Sequence, residues 1–134
     1  GVETGLYSIT NFFFILKQSG SQEYQFLRTD AILTTIVVTD SDQSQGSGKT
    51  GRSNSYINPA DFVSHVKSEL GSKEYIHHSS IVLPGDNTCK SQGEMFGTSY
   101  FDVSQLTGGI SASICANNYA SQFDLMARSM IDRV

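Results

Sequence analysis

A chain of 134 residues is the length of one domain with room for a sizeable core. With 38% hydrophobic and 16% charged residues, a net charge of −4 and a pI near 5.2, it argues against nonspecific nucleic-acid binding, and no Lys/Arg cluster opposes that. No apolar run reaches the roughly 18 residues of a membrane span. Gly1 reads as the edge of a fragment, so the lack of a signal peptide carries no information.

In chain order, Val2 to Lys17 reads as a helix, with Leu6, Ile9, Phe13 and Leu16 at helical spacing and Ser19-Gly20-Ser21 as its stop. Phe12 to Leu16 is apolar all round and also fits a short buried strand. Ala31 to Val38 is nearly continuous Ile, Val, Leu and Thr without charge, the pattern of a central parallel strand covered on both faces. It ends at Asp40 and Asp42, and open α/β sheets place ligand sites at the carboxyl ends of their strands. The plain alternative is that both aspartates cap the following loop. That loop is a polar Gly/Ser stretch reaching Asn58, of a length that is usually functional or mobile.

Asn58 or Pro59 opens a helix through Leu70, with Phe62, Val63, Val66 and Leu70 on one face and Gly71 past its end. Tyr75 to Leu83 is a second strand, in which His77 and His78 point to opposite faces. Neighbours so placed cannot easily share a metal, which favours satisfied or solvated histidines. An irregular loop follows, then a short helix from Tyr100 to Leu106 ended by Thr107-Gly108-Gly109. Ile110 to Ala116 is a third strand, and Ala120 to Val134 a closing helix. The α-β-α-β-α-β-α order predicts a three-layer α/β domain with a mainly parallel central sheet. A first element that is a helix, and only three strands, predict a domain incomplete at its N-terminal side.

Cys89 and Cys115 form no C-x-x-C pair, so zinc is disfavoured. Two unrelated buried thiols are one reading. A disulfide is the other, favoured by Cys89 lying in a polar loop and by the low-charge, Ser/Gly/Gln/Asn-rich composition of an extracytoplasmic chain. Gly48-Lys49-Thr50 lacks the upstream glycine of a phosphate loop, Gln43 standing in its place, and does not lead into a helix, which excludes nucleotide binding. Asp40-x-Asp42-x-Ser44 starts like a calcium loop, but Gln45 and Gly51 stand where Gly and Glu are required. No G-x-S-x-G occurs, no histidine neighbours a plausible nucleophile, and His65 falls mid-helix on a half-exposed face, so the sequence does not read as an enzyme.

Three stretches carry a resemblance. Phe26 to Ser44 is similar to the central strand and following loop of von Willebrand factor A-type domains, in the bacterial secreted or lipoprotein branch. Thr107-Gly108-Gly109-Ile110-Ser111-Ala112-Ser113-Ile114-Cys115 resembles that branch's late Thr-Gly-Gly segment, and Pro59 to Leu70 its post-loop helix. The resemblance implies a Rossmann-like α/β/α fold and a metal-dependent adhesion site. There a cation, usually Mg2+ (Ca2+ or Mn2+ in other cases), is held by an Asp-x-Ser-x-Ser triplet, a Thr from a later loop and an Asp after the central strand. Asp40 matches that last Asp, Asp42 is expected to assist it or to hold waters, and Ser41, Gln43 and Ser44 belong to the partner-facing loop.

The triplet is absent, and Gly1-Val2-Glu3-Thr4-Gly5-Leu6 resembles the helix start just beyond the metal Thr. The triplet and Thr are therefore expected upstream of Gly1; Thr4 is that Thr only in a shifted register. No cofactor is expected for this chain alone. The implied function is an extracytoplasmic adhesion module whose partner is a protein, a surface ligand or the N-terminal part of the same protein. The alternative is a structural or assembly subunit whose sheet another chain or segment completes.

Overall fold

The computed structural model describes residues 5–18, 31–42, 58–71, 74–90 and 95–132. In chain order they form α1 (Gly5–Gln18), β1 (Leu33–Val38), α2 (Pro59–Leu70), β2 (Tyr75–Ile81), α3 (Thr98–Thr107), β3 (Ser111–Ser113) and α4 (Tyr119–Ile131). The predicted α/β architecture is present. The stretch that fitted either a helix or a strand, 12–16, is helical. Local chemistry sets several boundaries. Asn58 accepts the Ala60 and Asp61 N–H groups with Pro59 in the first turn, so α2 begins where predicted. At the end of α3, Gly108 takes the left-handed conformation (φ 72°) and its N–H returns to the helix carbonyls.

The three described strands form one all-parallel sheet in the order β1-β2-β3. Leu33 is level with Tyr75 and Val38 with Ser80, while Ser79 to Ile81 run beside Ser111 to Ser113. Among the described residues the apolar run is not the central strand: β1 lies at the edge of the three, and Ile36 and Val38, on the face away from α2 and α3, are 44% and 56% exposed. The central strand is β2, Tyr-Ile-His-His-Ser-Ser-Ile, buried along its whole length. Apolarity does not mark the centre here because most of β2's polar side chains find partners in the neighbouring strands and the covering helices.

Alternation along β2 sorts those layers. Tyr75, His77 and Ser79 face α2 and α3: Phe62 meets Tyr75 edge-on, Tyr100 lies over His77, and Ser104 bonds Ser79. Leu6 and Phe13 of α1 join the same core with Val66, Leu70, Ile81 and Val103. Each such side chain contributes roughly 1.5–3 kcal/mol on burial. On the opposite face α4 is seated by buried Met126 and by Ser129, whose hydroxyl is 3.4 Å from His78. Gly109 fixes the turn from α3 into β3, for a Cβ there would stand 1.7 Å from the His77 carbonyl oxygen.

Candidate functional site at the C-terminal edge of the sheet

β1 pairs with β2 through Val38, and Thr39 extends the pairing by donating its N–H to the Ser80 carbonyl. The chain then turns: the Thr39 hydroxyl accepts the Ser41 N–H at 3.1 Å. Asp40 thus stands exposed at the strand tip, with no side-chain partner among the described residues. Asp42 has a different environment. Its Oδ1 accepts the Ser99 N–H at 2.9 Å and its Oδ2 the Ser99 hydroxyl at 3.2 Å. Gly97, the residue before α3, has no side chain to cap the helix, so the Asp42 carboxylate, 57 positions before Ser99, satisfies its first turn. A negative charge is favoured there by the unpaired N–H groups and the helix dipole.

Sequence reasoning placed both aspartates at this edge, but no local signal in the chain revealed that Ser99 holds one of them. Ser41 lies in the same turn, partly buried. Gln43, Ser44 and the rest of the loop to 57 lie outside the described residues. One free carboxylate does not make a cation site, and no group of three or more His, Cys, Asp and Glu side chains could hold a metal ion among the described residues. Mg2+ favours near-octahedral oxygen coordination, so the residues described here do not by themselves fit it.

At the ends of β2 and β3, Cys89 and Cys115 are joined by a disulfide, with S–S 2.00 Å and Cα–Cα 5.7 Å. It ties the β2–α3 loop to the segment after β3, which ends at Ser113 rather than continuing to 116. Within that loop, Asp86 accepts the Thr88 hydroxyl and the Cys89 N–H, and these bonds, the first foremost, hold its carboxyl below the usual range.

Two buried histidines were the other chemical candidates. Burial, with the nearby His78 as a lesser cause, pushes the His77 imidazole down from 6.5 to about 3. Its Nδ1 lies 2.8 Å from the Thr35 hydroxyl, which also bonds the Tyr75 hydroxyl at 2.7 Å; its Nε2 has no hydrogen-bond partner. Burial raises the Tyr75 phenol, the Thr35 bond opposing. On the other face, the Ile110 N–H donates to His78 Nδ1 at 2.9 Å. In the neutral ring this puts the proton on Nε2, the nitrogen beside Ser129. Ser129 Oγ gives its own proton to the Met126 carbonyl at 2.7 Å. That tautomer cannot draw a proton from the serine, so the pair is not a nucleophile and base.

Comparison with protein-family models, with curated proteins and with solved structures finds no match. Among the described residues, no helix is long and apolar enough to cross a membrane.

Proposed function

We propose that this chain is the C-terminal portion of an extracytoplasmic protein-binding module of the von Willebrand A type. The observation that carries the reading is the exposed Asp40, delivered by β1 to the sheet's C-terminal edge beside the α3 N-terminus that Asp42 holds. The disulfide supports an oxidising compartment. The two buried histidines, His77 and His78, are committed to holding layers together, which supports a contact surface over a catalytic centre. Asp40 is one oxygen ligand toward a divalent cation; the remaining donors come from residues outside those described, or from the partner. Replacing Asp40 by Ala tests this. In the full-length protein, capture of extracytoplasmic proteins in Mg2+, reversed by EDTA, is expected to be lost in the variant with thermal unfolding unchanged; undiminished capture by the variant refutes the reading.

A second reading, an assembly subunit whose sheet is completed by another segment, is favoured by one observation. The outer edge of β1 is apolar, uncharged and unpaired among the described residues. Folded proteins rarely leave such an edge open.

A further inference from the structure

We infer that the outer edge of β1 seats one further strand, parallel to β1 and belonging to polypeptide joined to the N-terminal end of α1. The inference rests on the sheet-completion reading above and adds a direction and a connection to it.

Hydrogen bonding identifies the edge of β1 that is unpaired among the described residues. The Leu33 N–H donates to Glu74 and the Thr39 N–H to Ser80, so alternate residues of β1 face β2. Thr34, Ile36 and Val38 therefore turn their backbone N–H and C=O groups outward. The strand Leu-Thr-Thr-Ile-Val-Val carries no Lys, Glu or Pro that would discourage pairing.

Three features of α1 select the occupant. First, α1 covers the same sheet face as α2 and α3, packing against α2, which packs against α3. With helices on this face, the two crossovers β1-α2-β2 and β2-α3-β3 both advance the sheet in one direction. Crossovers between parallel strands share one hand, so a strand leading through α1 into β1 must lie on β1's other side, at that edge. Second, the polarity fits. The Gly5 N–H donates to the Tyr100 hydroxyl, which places the start of α1 beside the first turn of α3, at the sheet's C-terminal edge. A strand ending there runs parallel to β1. Third, Phe12 and Ile15, 41% and 56% exposed, flank α1's buried stripe of Leu6, Phe13 and Leu16, leaving apolar surface for one more element.

The test uses residues 1–134 and the same chain extended before Gly1 by a four-residue loop and a six-residue strand of alternating Val and Thr. A matching extension follows Val134, and a further N-terminal one carries proline at the strand centre. Amide hydrogen exchange at Thr34, Ile36 and Val38 is the readout. In the unextended chain these amides are expected to exchange on the order of 100-fold faster than Thr35 and Val37; the N-terminal strand removes that difference, and the proline-bearing and C-terminal ones do not. A nitroxide on the added strand's first residue should broaden Leu33 rather than Val38, which fixes the direction. Should the Val/Thr strand prove insoluble, alternating Lys and Val gives the same readouts. Protection of the three amides in a monomer of the unextended chain would sink both the completion reading and the inference. Protection that rises with protein concentration assigns the edge to a second copy and overturns the inference alone. So does an open edge that the N-terminal strand leaves unprotected, or that a C-terminal strand protects equally.

Discussion

Asp40 and Asp42 lie two positions apart in one turn, yet their roles diverge according to what each can reach. Asp42 substitutes for a missing cap, so Asp42→Ala should destabilise the protein by about 1 kcal/mol, a typical cost of a lost helix cap. Urea denaturation measures it; an unchanged midpoint would mean that the Ser99 contact contributes nothing. Asp40 accepts no such bond, so its replacement should leave the same midpoint in place. Gly109 is the residue whose identity geometry constrains most. A methyl group there would overlap the His77 carbonyl at 1.7 Å, against backbone that cannot swing away as a side chain could. Gly109→Ala is therefore expected to cost about 3 kcal/mol, read as a shift of the same denaturation curve, mainly because β3 must separate from β2. A loss under about 1 kcal/mol would show that the turn relaxes freely.

At the scale of elements, what was legible in the sequence was what local chemistry determines. Pro59 and Asn58 start α2, Gly108 ends α3, and the helical spacing of Leu6, Phe13 and Leu16 marks the side of α1 that is buried. Strand order was not legible, because it depends on which layers cover a strand rather than on its own residues. Among the described residues the apolar β1 has one neighbour, whereas β2, with two histidines and two serines, has two. Several of its polar atoms are matched by Thr35, Ser104, Ser111, the Ile110 N–H and Ser129, groups from five different elements or turns, while His77 Nε2 and Ser80 Oγ are buried without a hydrogen-bond partner. Such matching has no signature at short range. Of the candidate site, the aspartates were readable from their place after a strand, but the Ser99 partner was not, being 57 residues away. The cysteine pairing was readable from the setting of Cys89 in a polar loop. Closing a loop with a separation of 26 is worth roughly 3–4 kcal/mol on the chain-entropy estimate. The Cys89→Ser/Cys115→Ser double variant should lose about that much in denaturant titration. A reducing agent should lower the wild type to the same midpoint and leave the variant unmoved. Equal midpoints for oxidised wild type and variant would refute it.

For the whole molecule, the consequence of a polar central strand is sensitivity to acid. His77 is enclosed by β1, β2 and α3, with Thr35, Tyr75 and Tyr100 around it and the other titratable imidazole, His78, next to it in the strand. Folding holds it neutral to about pH 3, whereas in the unfolded chain it binds a proton below about 6.5. The unfolded state therefore takes up the extra proton between those limits. The stability contribution of a neutral His77 is complete above pH 6.5, declines as pH falls, and stops changing once the folded protein also protonates near 3. The slope is about 1.4 kcal/mol per pH unit, which makes the loss roughly 2 kcal/mol between about pH 6 and about pH 4. His77→Leu isolates this effect. Leucine removes the imidazole whose Nε2 lacks a partner, while the Thr35 and Tyr75 hydroxyls keep their 2.7 Å bond to each other. Denaturant titrations at both pH values should show the wild type losing roughly 2 kcal/mol more than the variant. Parallel losses in the two proteins would mean that His77 is protonated in the folded state well above pH 4, and that α3 and the sheet open enough to hydrate it.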